Sequence, residues 1–81
     1  MPTVLRQGGF AFRVLTLDHD PPHVHAAGCD GVVLVNIDSG TVRRVDGKVK
    51  QADISRARSI VAEHRALFAT AWYQTRKQVT R

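Results

Sequence analysis

The sequence predicts an α+β domain, with a small antiparallel β-meander of four or five strands packed against one long C-terminal α-helix. Three observations carry this. Residues 1–50 hold short apolar runs separated by glycine- and proline-containing turns, residues 51–78 change to three- and four-residue helical steps, and no βαβ alternation or internal repeat intervenes. At 81 residues the chain encloses a single core, so residues 1–81 are read as one domain.

Each element has a local reason. TVLR at residues 3–6 is a short extended run, stopped by Gly8-Gly9, which tolerate the positive φ of a tight turn. In residues 10–17 (FAFRVLTL), Phe10, Phe12, Val14 and Thr16 point one way and Ala11, Arg13, Leu15 and Leu17 the other. Arg13 alone interrupts this strand with charge, so it either snorkels out at an edge or meets an anion. Asp18 to Pro22 form a loop stiffened by Pro21 and Pro22. HVHAA at residues 23–27 resumes a strand until Gly28-Cys29-Asp30-Gly31 turns it.

Residues 32–38 (VVLVNID) make the most apolar strand and are placed at the centre of the sheet. Ser39-Gly40 reads as a two-residue hairpin loop, and residues 41–46 (TVRRVD) return antiparallel. Arg43, Arg44, Lys48 and Lys50 make this hairpin end basic, a pattern that also discourages edge-to-edge pairing.

From Asp53 onward, Ile54, Ala57, Ile60, Val61, His64, Leu67, Phe68, Ala71 and Trp72 fall on one broad stripe. Asp53 suits an N-cap or first-turn position, and Arg76, Lys77 and Arg81 suit the negative C-terminal end. A helix of ~25 residues would span about 37 Å, enough to cross a small sheet. One small sheet leaves part of such a stripe uncovered, which makes a homodimer through Trp72, Tyr73 and their neighbours a candidate assembly.

Composition narrows the function classes. An apolar fraction of 43% with 23% charged residues belongs to a globular chain rather than a disordered one. No segment approaches the ~20 apolar residues needed to cross a bilayer. A single cysteine, Cys29, cannot form an intramolecular disulfide, and MPTVLRQGGF lacks the apolar run of a signal peptide, so a cytoplasmic location is expected. Twelve Lys and Arg against seven Asp and Glu give a net charge of +5, which favours RNA, DNA or an acidic protein over a neutral small molecule.

The densest chemistry lies in HDPPHVH, residues 19–25. His23 and His25 share a strand face with Cα atoms about 6.5 Å apart, close enough for both rings to reach one ion. As metal ligands, His19, His23 and His25 would bind a divalent cation, with Asp18, Asp20, Cys29, Glu63 or His64 as other sources of a third ligand. As a metal-free pair, His23 and His25 would take a proton from a ribose hydroxyl and return one to a leaving oxygen, with Arg13 holding the phosphate charge. As scaffold, the imidazoles would pin the Pro-Pro corner by bonding backbone carbonyls or Asp18 and Asp20. All three readings stand on the residues alone.

MPTVLR, the strand from Phe10 to Phe12, the motif from His19 to His25 and a C-terminal helix containing Ala71-Trp72 together resemble the small bacterial family catalogued as domain of unknown function 4160. The resemblance spans essentially the entire chain, and the motif positions carried over are His19, Pro21, Pro22, His23, Val24 and His25. Genes of that family often lie beside those of domain of unknown function 2442, some of which carry a helix-turn-helix-like region. The resemblance therefore implies one half of a type II toxin-antitoxin-like pair, here the toxin-like member, with a small protein partner encoded nearby. GCDGVVLVNID is more apolar and TVRRVDGKVK more basic than is usual in the family, which favours a polyanion-facing second hairpin.

The functional expectation is a toxin-like component acting on RNA without a required cofactor. His23 and His25 are the acid and base candidates, His19 orients them, and Arg13, Arg43, Arg44, Lys48 and Lys50 contact nucleic acid. The alternatives are an antitoxin-like or regulatory interaction module in which the motif is structural, and a metal-dependent hydrolase that uses the histidines as ligands.

Overall fold

The structure, a computed structural model, describes residues 3–15 and 21–79, with residues 76–79 described by backbone alone. Five strands form one antiparallel sheet in the order of the chain: β1 (Thr3–Gln7), β2 (Phe10–Arg13), β3 (His23–Gly28), β4 (Gly31–Asn36) and β5 (Val42–Gly47). Two helices follow, α1 (Gln51–Glu63) and α2 (Arg65–Val79). The α+β meander is as expected, while the single long helix is not.

Gly8 and Gly9, both at positive φ, make the β1–β2 turn, and Cys29 and Asp30, at φ of 52° and 72°, make the β3–β4 turn. Both two-residue turns have the handedness that matches strand twist. The β4–β5 connection is longer than the expected Ser39-Gly40 pair and occupies residues 37–41. Ile37, the first residue of this connection, is fully buried, and its N–H donates to the Pro22 carbonyl at 3.0 Å, which extends the pairing toward β3. The loop closes through Asn36 N–H to Thr41 O and Gly40 N–H to Asn36 O, both 2.9 Å.

The strand order also moves the centre of the sheet from β4 to β3. β4 is rich in valine because it too is paired on both edges, and its Val33 and Val35 face the core while Val32 and Leu34 are half-buried on the other side.

The core lies on one face. Phe10, Phe12 and Val14 are buried together with Val24, Ala26, Val33 and Val35, and Ala57, Ile60, Val61, Phe68 and Trp72 cover them from the helices. The Phe12 and Phe68 rings lie 5.5 Å apart. Strand β2 stops at Arg13, earlier than Leu17, and residues 16 and 17 lie outside the described part.

The helical run breaks at His64, where φ is −113° and ψ is 30°. Hydrogen bonds bridge the break, from His64 N–H to Ile60 O at 3.0 Å and from Phe68 N–H to His64 O at 3.1 Å, so the run bends without ending. The His64 ring supplies the reason. Its Nε2 lies 3.0 Å from Gln7 Oε1 on β1 and 3.1 Å from Glu63 Oε1, and Gln7 Nε2 donates to the same Glu63 oxygen at 3.1 Å. A straight helix would overshoot strands that are only about 20 Å long, whereas a bend at the edge strand lets both halves cover apolar surface.

The bend also re-phases the stripe, leaving Leu67 exposed. Asp53 sits in the first turn, as one of its two expected positions has it, but the N-cap is Lys50, without a side-chain bond. The placement of Arg76, Lys77 and Arg81 at a helix end falls outside the described side chains. Among the described residues, no helix is long and apolar enough to cross a membrane.

Candidate functional site

Because Val24 and Ala26 face the core, His25 between them faces away from it, whereas His23, at the start of β3, is buried against Trp72. The register then aligns four side chains directly across the sheet: Arg13 of β2 opposite His25 of β3, His25 opposite Leu34 of β4, and Leu34 opposite Arg44 of β5. This row lies on the face opposite the core. Arg13 and Arg44 are exposed, and His25 and Leu34 are half-buried between them.

Arg43 joins the same group through an irregularity in pairing. Leu34 pairs with Arg44 and Val35 with Val42, so β5 carries one extra residue there, Arg43, in the manner of a β-bulge. Its guanidinium reaches back across β4 until Nη1 lies 3.4 Å from His23 Nδ1.

His23 differs from His25. It is only 4% exposed, its Nδ1 lies 2.8 Å from the Pro21 carbonyl oxygen, and its ring stands 5.3 Å from His25 and 5.5 Å from Trp72. A carbonyl oxygen can only accept, so this nitrogen carries the proton and the neutral ring is the Nδ1–H tautomer. The contact with Arg43 is thus an approach of charge and not a second bond to that nitrogen. His23 pins the proline corner through a backbone carbonyl, as the scaffold reading expects, and couples it to α2.

The expected nucleic-acid set divides. Arg13, Arg43 and Arg44 lie around the histidines, although Arg44 also pairs with Asp46 on its own strand at 2.9 Å. Lys48 and Lys50 are exposed beyond the other end of β5, where Lys48 N–H donates to Asp30 O at 3.2 Å, beside the β3–β4 turn. His19, Asp18 and Asp20 lie outside the described residues.

Other expected sources of a third metal ligand are not beside His23. Cys29 is at the far end of β3, about 20 Å along the strand, next to the Arg56 guanidinium. Glu63 and His64 are engaged with Gln7 on β1. Among the described residues, no group of three or more His, Cys, Asp or Glu side chains is placed to hold a metal ion.

Trp72 corrects the expected dimer surface, being buried at 2% exposure while Tyr73 is 66% exposed. Its contact with His23 joins residues 49 apart in sequence, and no local pattern announces it.

A family model described as Domain of unknown function (DUF4160) matches residues 9–73. The chain belongs to this family. The family span takes in the sheet from β2 onward, residues 19–25, both arginines of β5 and Trp72, and it leaves out MPTVLR. No curated protein and no solved structure matches the chain.

Proposed function

We propose that this member of the family is a toxin-like component of a two-protein pair that engages RNA through the open face of its sheet. The observation that carries the reading is the cross-strand row Arg13–His25–Leu34–Arg44, with Arg43 beside it. Guanidiniums spaced across several strands suit successive phosphates, and an imidazole between them is placed for proton transfer at a phosphodiester. His25, the more accessible ring, is the catalytic candidate. His23 is a positioning residue, holding His25 and the proline corner in place.

In the corresponding reaction a ribose 2′-hydroxyl loses its proton to a base and attacks the adjacent phosphorus. The bond to the 5′ oxygen breaks, that oxygen takes up a proton, and a 2′,3′-cyclic phosphate remains. No redox partner is needed. Incubation of purified protein with RNA, with and without chelator, tests this. The expected result is RNA binding with chelator-insensitive fragments ending in cyclic phosphate, lost in His25→Ala. Absence of RNA binding overturns the proposal, and chelator-sensitive cleavage transfers it to a metal-dependent hydrolase.

A second reading is a protein-interaction module acting through β5. Val45, an apolar residue of that edge strand, is 37% exposed, and among the described residues no strand pairs with its outer edge. Partner binding that survives His25→Ala, without any RNA affinity, would select it.

A further inference from the structure

On the helix side of the molecule a separate concavity of about 340 Å³ opens between the β4–β5 loop and the helical run. Ser55, Arg58, Ser59, Ala62 and Arg65 line it from the helices and Ser39 from the loop. Steps of three, four and seven residues place the helical members on one face, and that face continues past His64 because the hydrogen-bonded run bends without stopping.

The lining is chemically one-sided. It holds two guanidiniums and three hydroxyls, and no carboxylate is among its residues. Among the described residues neither Arg58 nor Arg65 has an ion-pair partner, whereas Arg44 and Arg56 each pair with an aspartate. Arg58 is nevertheless fixed. Its Nε donates to the Gly40 carbonyl at 2.8 Å, which ties the guanidinium to the loop beside the space that both residues line. The loop is itself braced by Ser39 Oγ and Thr41 Oγ1 at 2.8 Å and by Asn36 Nδ2 donating to Thr41 Oγ1 at 3.0 Å. Ala62 keeps the floor small.

We propose that this pocket binds the phosphate group of a nucleotide-sized phosphomonoester, at a site distinct from the sheet face. Arg58 supplies a held donor fork, Arg65 a second charge from across the bend, and Ser55, Ser59 and Ser39 the hydroxyls that complete a phosphate's hydrogen bonds. The volume falls in the range of small-ligand sites, larger than a bare phosphate needs.

Titration of the full chain with inorganic phosphate and with adenosine 5′-monophosphate, followed by amide NMR against chloride at matched ionic strength, tests this. The expected result is saturable shifts at Ser39, Gly40, Ser55 and Ser59. Equal affinity for both ligands assigns the site to the phosphate group alone, and tighter binding of the nucleotide adds contacts to its nucleoside.

Arg65→Gln should weaken binding about tenfold. Ala62→Glu, on an exposed position that leaves the core intact, should abolish it by placing a carboxylate on the floor. Both variants should keep wild-type RNA affinity, and Arg13→Gln/Arg44→Gln should keep the pocket shifts, so failure of the sheet-face reading leaves this one standing. Unsaturable shifts, equal shifts in chloride, or shifts unchanged by Ala62→Glu in a folded protein would overturn it.

Discussion

The His23 ring packs against the Trp72 indole with centroids 5.5 Å apart and planes at 49°, which joins the start of the central strand to the second helix. Both side chains are buried, and His23 also holds the Pro21 carbonyl. Trp72→Ala should therefore cost about 3–5 kcal/mol through loss of packing and the cavity left behind. His23→Ala should cost about 2 kcal/mol, from a lost ring contact and an orphaned carbonyl. His25→Ala, at a half-buried position on the other face with one ring contact to His23, should cost about 1 kcal/mol, less than His23→Ala. Urea denaturation of the three variants checks the order, and equal losses for His23 and His25 would contradict the division of roles.

Two glycines in the β4–β5 region separate steric from conformational demand. A Cβ at Gly31 would run into the Asp46 carbonyl oxygen on the paired strand, whereas one at Gly40 would meet no atom within 4 Å. Gly40 has a φ of 74°, so its substitution is strained by the backbone alone. Gly40→Ala should cost about 1 kcal/mol and Gly31→Ala at least about 2 kcal/mol, because only the second must push strands apart. Thermal melts of both variants would show the ranking, and reversal would mean that β5 is not held where Gly31 requires it.

Much of this fold is legible from strand-scale patterns. Alternation in FAFRV places Phe10, Phe12 and Val14 on the buried face, and Gly8-Gly9 and Cys29-Asp30 turn the chain where punctuation predicts. What escapes local reading depends on contacts distant in sequence. The bend at His64 needs Gln7, the bulge at Arg43 needs the register against Leu34, and Ile37 at the start of the β4–β5 loop bonds back to Pro22. At the candidate site, arginine and histidine are visible as residue types. That Arg13 and Arg44 belong with His25 while Lys48 and Lys50 do not follows only from strand order.

Arg56 gives a prediction in pH. Its guanidinium donates to Asp53 Oδ1 at 2.7 Å and to Gly8 O at 2.9 Å, and lies 5.8 Å from the Phe10 ring centroid. The hydrogen bond to Asp53 raises its pKa above the usual arginine value, opposed by desolvation and aided by Cys29. A pKa raised by folding contributes stability fully present below the unfolded value and lost only as pH climbs through the folded one. The difference in melting temperature between wild type and Arg56→Gln should therefore stay constant from about pH 6 to about pH 7.5, well below the guanidinium's own titration. A difference that shrinks across that window would show that a group other than the guanidinium controls the contact.

The sheet-face reading makes a count that salt can measure. Each phosphate contact to single-stranded nucleic acid contributes about 0.7 to the slope of log affinity against log salt. Arg13 and Arg44 bracket His25 on one face, so Arg13→Gln/Arg44→Gln removes two contacts and should flatten the slope by about 1.4. Lys48→Gln/Lys50→Gln removes the same charge from beyond the other end of β5 and should change the slope by less than about half as much. Net charge is identical in the two variants, so unequal slopes report position and equal slopes report charge alone. Equality would dissolve the row as a binding surface, because a molecule attracted only by overall basicity has no reason to prefer one face of its sheet.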